Sequence, residues 1–389
     1  MKSEISTQSV FMGFLAAFVG FASSFAVVLQ GLKAVGASET QAASGLMATA
    51  IAMGVGSVIF GLWTRHPAAV AWSTPGAALL VNTGIPEGGF QVAVGAFFVC
   101  AALVILTALV KPIGQAIGAI PMPLANAMLA GVLLGLCLAP VKAVAFDPWL
   151  GLPIVLAWLV VGRLNRLLAV PAALMAFILV ILFGVKLPSD AAATLSAALI
   201  PQFEWVVPEF TMPGLVGIAL PLYLVTMASQ NIPGIAVLRA NGYTPKPGPL
   251  FAGTGILSLF CVPFGGHAVN MSAIVASMCA GPDSHADPKR RYWAAISFGV
   301  GSIALGLLAG FATTFISLAP SILIEAVAGL ALIAAFSASL VGAFQDEKSR
   351  QAAAVTFLTT ASGLAFFDIS SAFWGLLAGG LVYIFTAKP

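Results

Sequence analysis

Ala69-Val-Ala-Trp-Ser-Thr-Pro-Gly-Ala-Ala-Leu-Leu-Val-Asn-Thr-Gly84 and Pro263-Phe-Gly-Gly-His-Ala-Val-Asn-Met-Ser-Ala-Ile-Val-Ala-Ser-Met-Cys-Ala-Gly281 are the stretches whose reading decides the fold. Both are apolar, both are too short to cross a bilayer as one helix, and both are interrupted by Pro or Gly. Each reads as extended chain that turns into a half-length helix. In a membrane sequence, a matched pair of broken segments in two halves points to a transporter's substrate site.

The rest of the chain supports a membrane setting. Hydrophobic residues make up 60% of the 389 residues and charged residues 7%, with a mean hydropathy of +1.06. A soluble domain carries about 25% charged residues. So sparse a set cannot cover a water-facing surface, and the chain reads as an all-α polytopic membrane protein. At roughly 20 apolar residues per span, its length allows about 12 to 14 crossings. The N-terminal region reads as an uncleaved first span, because Glu4 stands beside Lys2 and the apolar run from Val10 outlasts a signal core. Cys100, Cys137, Cys261 and Cys279 lie singly in apolar runs. Their spacing argues against a disulfide framework and against a metal site. The net charge of +3 sits in loops and points to lipid headgroups rather than nucleic acid.

Apolar segments fall at 9–32, 41–63, 69–84, 88–110, 122–140, 148–162 and 167–187, then at 213–236, 249–262, 263–281, 292–316, 320–344, 351–366 and 370–386. This is seven plus seven, about 14 spans, with residues 1–190 as a first repeat, 191–212 as an interfacial connector and 213–389 as a second repeat. With the N-terminus inside, the inner loops hold 13 of the 16 basic residues and the outer loops only Lys33, Lys142 and Lys186. That asymmetry fits the positive-inside rule and predicts cytoplasmic termini. An odd number of spans per half inverts the second half relative to the first. Ala22-Ser23 and Leu32-Lys33-Ala34-Val35-Gly36 match Ala228-Ser229 and Leu238-Arg239-Ala240-Asn241-Gly242 at a constant offset of 206. An inverted repeat lets one site face either side in turn.

The broken segments supply the candidate site residues. Thr74 reads as a helix N-cap with Pro75 at the first helical position, and Asn270 as the cap of the second half-helix. Inverted symmetry then points the two helix starts at one another near the midplane. Each brings free N–H groups and about half a positive charge, which favours an anion without a basic side chain. Ser73, Thr74 and Asn270 are open to two roles, capping alone or capping with substrate binding. His267 is the one histidine away from the inner loops, and reads either as a satisfied structural group or as a ligand or proton carrier. Gln230 and Asn231, adjacent amides ahead of Pro233-Gly234, must face protein, water or ligand, with Ser23 and Ser24 at the matching place in span 1. Glu325, one turn into span 12, suits a helix start. Asp368, between two short spans, reads as a turn and cap residue.

Pro263-Phe-Gly-Gly-His-Ala-Val-Asn-Met-Ser-Ala-Ile274, Gly281-Pro-Asp-Ser-His-Ala-Asp-Pro-Lys-Arg-Arg291 and Ala228-Ser-Gln-Asn-Ile-Pro-Gly234 resemble the benzoate/proton symporter family of bacterial inner-membrane proteins, over the whole chain. That family is more distantly similar to the nucleobase and sulfate-type anion transporters. The resemblance implies a seven-plus-seven inverted-repeat fold with short strands in spans 3 and 10 lining the site. It also implies a core domain, 1–115 with 213–316, and a gate domain, 116–190 with 317–389. Nucleobase carriers place acids where this chain has Gln230 and, roughly, Val269. A carboxylate substrate explains both departures, since a fixed carboxylate there would repel it.

The expected function is therefore proton-coupled import of an aromatic carboxylate, benzoate first, across the inner membrane by alternating access. The substrate shell comprises Ser24, Ser73, Thr74, Gln230, Asn231, His267 and Asn270, with His267 and Glu325 as proton carriers. No cofactor is expected beyond the proton as coupling ion, and a homodimer is carried as the candidate assembly. Another small anion or a nucleobase on the same fold, and an uncoupled anion channel, are the alternatives. An intramembrane enzyme is disfavoured, because Asp346-Glu347 lacks the partners a metal cluster needs.

Overall fold

The computed structural model describes residues 5–110, 121–364, 366 and 369–386. Asp368 and the expected core–gate division at 115/116 lie outside the described residues. The first half opens with two long helices, α1 (Thr7–Ala34) and α2 (Glu39–Thr64), the second started by a reciprocal capping box between Ser38 and Gln41. The chain then runs extended as β1 (Val70–Trp72), turns into the half-helix α3 (Thr74–Val81), and continues in α4 (Phe90–Leu109). Further on come α5 (Met122–Cys137), α6 (Ala139–Phe146), α7 (Pro148–Leu164) and α8 (Ala169–Gly184).

The connector holds one short helix, α9 (Ala191–Ala197), and otherwise crosses the first half as extended chain. Its backbone is pinned as it goes. Glu204 N–H donates to Ser44 Oγ (2.9 Å), Val206 N–H to Pro263 O (2.8 Å) and Glu209 N–H to Gln91 O (2.9 Å).

In the second half, α10 (Met212–Ala240) and α11 (Pro247–Cys261) precede β2 (Val269–Met271) and the half-helix α12 (Ala273–Ala280). There follow α13 (Tyr292–Leu307), α14 (Ala309–Ser317), α15 (Ser321–Phe344), α16 (Arg350–Ala361) and α17 (Ser371–Thr386). Among the described residues eight helical stretches are long and apolar enough to cross a membrane, nine if the pair α13–α14, bent by 51°, is one span. The other expected segments are shorter helices: α3, α7, α12, α16 and α17.

Two local features of α10 follow from its prolines. Proline at position i clashes with the carbonyl of i−4 and removes a donor. Pro221 and Pro233 each follow a π-helical turn, Leu215–Ala219 and Met227–Asn231, which absorbs the clash. The second turn carries Ser229, Gln230 and Asn231. Gly234 then allows α10 to touch β2, since a Cβ there would lie 3.0 Å from the backbone carbon and oxygen of Met271.

The broken segments find each other. β1 and β2 pair antiparallel, with Val70 opposite Met271, Ala71 opposite Asn270 and Trp72 opposite Val269. Ser73 N–H to Ala268 O (2.9 Å) and Ser272 N–H to Ala69 O (3.1 Å) extend the ladder by one bond at each end. Around this pair pack α1 to α4 and α10 to α13, while α5 to α8 pack with α15 to α17. The contact of α15 with α1 joins the two groups.

Gly234→Val should cost about 1–3 kcal/mol, because the added atoms push α10 off the strand. Thermal gel filtration checks it: the midpoint falls for this variant and stays unchanged or rises for Gly380→Ala, whose Cβ meets nothing within 4 Å.

Candidate functional site

The capping pattern differs from the sequence expectation at both half-helices. Ser73, not Thr74, caps α3: its Oγ accepts from Gly76 N–H (3.1 Å), which places Thr74 at the first helical position and Pro75 at the second. Ser272, not Asn270, caps α12, accepting from Val275 N–H (3.1 Å). The reason is the strand pair. Asn270 is committed to the ladder opposite Ala71, so the helix starts only after the ladder ends.

The helix starts also do not meet head to head. Ser73 and Ser272 lie four residues apart along the extended ladder, about 13 Å at strand spacing. Both starts nevertheless border one cavity of about 90 Å³. Thr74 and Pro75 line it from α3, Ser272, Ile274 and Val275 from α12, Ser23 and Ser24 from α1, and Gln230 from the π turn of α10. Leu133 of α5 and Ala331, Leu332 and Ala335 of α15 close the opposite side. The cavity thus lies between the two helix groups. No charged residue among the described residues lines it.

Its walls combine two chemistries. Its lining offers the Thr74 hydroxyl and the Gln230 amide, which have no hydrogen-bond partner among the described residues. The backbone N–H groups of Thr74, Ala273 and Ile274, in the first turns of the half-helices, are likewise without an acceptor there. Its apolar lining includes Trp72, Phe298 and Met53. Trp72 is held in place: its Nε1–H donates to Ser24 Oγ (2.8 Å), and its ring packs against Phe21 (5.3 Å). Ser24 in turn donates to Gly20 O (2.8 Å).

Of the residues expected at the site, Ser24, Thr74 and Gln230 line this cavity together. Ser73, Asn231, His267 and Asn270 stand behind its wall, fully buried, and hold the strands. Ser73 Oγ bonds to Thr226 Oγ1 (2.8 Å). Asn231 Oδ1 accepts from Met271 N–H (2.9 Å), tying the π turn to β2. Asn270, in the amide orientation that satisfies both ends, accepts from Ser73 N–H (3.0 Å) and donates to Met271 O (2.9 Å). His267 Nε2 lies 3.1 Å from Ser73 O. A carbonyl only accepts, so that nitrogen carries the proton and Nδ1 presents a lone pair, buried and without a partner among the described residues. Glu325 lies in the second turn of α15, half-buried and away from the cavity.

Ser23, Trp72, Ser272 and Phe298 are lining residues that the sequence reading did not select. Ser272, three residues before Val275 at the end of the extended run, carried a readable capping signal. Phe298 had none, since one aromatic in a long apolar span is unremarkable.

A neutral cavity at the junction of two half-helices and a crossed strand pair, inside an apolar helix assembly, defines a membrane transport protein. The chain matches the family model described as benzoate membrane transport protein over residues 3–385 and belongs to that family. It is 38% identical over 382 residues to inner membrane protein YdcO of Escherichia coli (strain K12), covering 98% of this chain and 96% of that one. It is 30% identical over 392 residues to the benzoate membrane transport protein of Acinetobacter baylyi, covering 100% and 98%. In fold it is similar to the murine Slc26a9 anion transporter in its inward-facing state, with a TM-score of 0.62 at 14% identity, over 100% of this chain and 70% of that one. The transmembrane domain of the cyanobacterial bicarbonate transporter BicA is similar as well, with a TM-score of 0.55 at 12% identity and 98% coverage of both chains. The inverted-repeat fold expected from the sequence is the fold these transporters share.

Ser73→Ala removes both the cap of α3 and the bond to Thr226. It should lower stability by about 1–2 kcal/mol, read as a drop in the thermal midpoint of the purified protein.

Proposed function

We propose that the protein imports an aromatic carboxylate, benzoate first, together with a proton, by exposing the cavity alternately to the two sides of the bacterial inner membrane. The observation that carries this reading is a cavity lined by neutral donors, Thr74 and Gln230, together with the aromatic rings of Trp72 and Phe298, and by no charged residue among the described residues. The carboxylate takes hydrogen bonds from Thr74, Gln230 and the first-turn N–H groups of α3 and α12, where the helix dipoles add positive potential. The ring lies between Trp72 and Phe298. The cavity is small against the roughly 300–1,000 Å³ of drug-sized pockets, which suits a one-ring ligand.

The absence of a basic residue from the lining has an energetic use. A fixed cation would hold a carboxylate too firmly for release, whereas dipoles and neutral donors bind it and let it go. Gln230 matters in the same way, since an acid at that place would oppose the substrate. The membrane potential sets the coupling. Moving one negative charge inward against an inside-negative potential costs about 2.3 kcal/mol per 100 mV. One proton carried along cancels that term and leaves the pH gradient to drive uptake. His267 is the first candidate to carry it, since its Nδ1 lone pair stands unpartnered behind the strand wall. Glu325 is the second. Alternation follows from the position of the cavity: rocking α5 to α8 and α15 to α17 against the strand-bearing group opens one side and closes the other.

Counterflow in proteoliposomes tests the reading. Labelled benzoate should exchange and adenine and sulfate should not, and an inward acid gradient should drive benzoate accumulation. Absence of benzoate exchange, or conduction that does not saturate, overturns it. Gln230→Glu should raise the apparent KM for benzoate by about tenfold or more, the repulsion of one buried like charge. The rise should grow at higher pH as the new carboxyl ionises, measured as initial uptake rates across pH.

A further inference from the structure

The half-helix α3 meets a different helix group at each end. Its first turn presents the Thr74 hydroxyl to the cavity. Eight residues on, about 12 Å along the helix axis, Asn82 closes its last turn. Asn82 Nδ2 donates to the backbone carbonyl of Val132 in α5 (2.8 Å) and, at longer range, to Ala78 O of its own helix (3.3 Å).

The strand-bearing group is tied internally by side chains, among them Ser9 to Ser284 O, Ser73 to Thr226 and Asn231 to Met271 N–H. The opposing group has Ser371 to Thr360 O. Among the described residues, Asn82 to Val132 O is the one hydrogen bond that crosses from one group to the other. The seams of α1 with α15 and with α8 hold none.

Both partners can separate without leaving an orphan. Val132 lies inside α5, so its carbonyl already accepts from Leu136 N–H in the helix ladder and takes Asn82 on its second lone pair. Asn82 keeps Ala78 O when α5 moves away. Parting the groups here therefore costs a single interhelical hydrogen bond and exposes no unpaired backbone group.

The height of the bond in the membrane decides what it can hold. Under the positive-inside count, α3 runs outward from the cavity. Asn82 is half-buried, and Gly84 and Ile85 directly after it are exposed. The bond thus joins the two groups between the cavity and the outer face.

We infer that Asn82 is a positioning residue of the transport cycle. Its bond to Val132 latches the outer side of the cavity in this structure and breaks when the cavity opens outward. The inference rests on the alternating exposure proposed above and is independent of which substrate is carried.

Cavity accessibility tests the latch without a substrate. A cysteine introduced by Ser23→Cys, at a lining position, is labelled in right-side-out membrane vesicles with a membrane-impermeant methanethiosulfonate. The protein without that substitution is the blank for the four native cysteines. Asn82→Ala should raise the labelling rate about three- to tenfold, the effect of losing one interhelical hydrogen bond in a membrane. Asn82→Asp keeps the shape and turns an acceptor toward the carbonyl, so it should raise the rate at least as far. Thr83→Ala removes a hydroxyl that bonds Leu79 O inside α3 (3.0 Å) and should leave the rate unchanged. An unchanged rate in both Asn82 variants, an equal rise in Thr83→Ala, or a rise only in inside-out vesicles overturns the latch. The apparent KM for external benzoate should fall in Asn82→Ala by the same factor, because a larger fraction of the protein is open outward. Absence of benzoate uptake in the parent protein, beside a raised labelling rate in the variant, sinks the substrate reading and leaves the latch standing. Uptake lost in Asn82→Ala alone overturns the latch.

Discussion

A chain that breaks its helix in the middle of a membrane leaves backbone N–H and C=O groups with no water to meet them, and each such group costs several kcal/mol. Everything distinctive in this structure answers that constraint. β1 satisfies β2, Asn231, Ser57 and Ser258 take up donors the ladder does not reach, and Asn270 adds a second acceptor to Ser73 N–H. The polar residues that look like a binding shell in the sequence are therefore divided between two tasks. Some hold the break together, and a smaller number face the space the break creates.

That division explains how the cavity stays neutral. Breaking two helices exposes first-turn amides as donors at no cost in buried charge. Aromatic and aliphatic side chains from both helix groups fill the remainder of the wall. A binding place made of backbone amides keeps its geometry only while the strands behind it are held. The buried amides and hydroxyls behind the wall thus set the geometry of the cavity without lining it.

The architecture was largely legible in the sequence. Composition required a membrane, Pro75 and Gly265-Gly266 marked the breaks, and the paired amides before Pro233 marked a place on α10 that had to face protein, water or ligand. The caps were misread by one residue at Thr74 and by two at Asn270. Single-residue cap preferences carry no information about a strand partner some 200 positions away, and it was that partner which drew Asn270 into the ladder. The pairing moves the two half-helix starts apart along the ladder, where simple inversion symmetry had set them head to head. The far wall of the cavity was not legible at all. Leu133 and Ala331 are ordinary apolar residues of apolar helices, and only the packing of α5 against α3 and of α15 against α1 gives them a role.

The strand pair also bears on how the chain is made. Val70 belongs to the first half and its partner Met271 to the second, 201 positions later. At synthesis rates of about 5–20 residues per second, the wait between them is roughly 10–40 s. Through that interval the nascent chain carries a three-residue strand whose edge lacks its partner strand, already committed to the bilayer or its insertion machinery. The strand pair at the centre of the fold is thus completed only when the second half arrives, which makes the order of synthesis part of how this structure is reached.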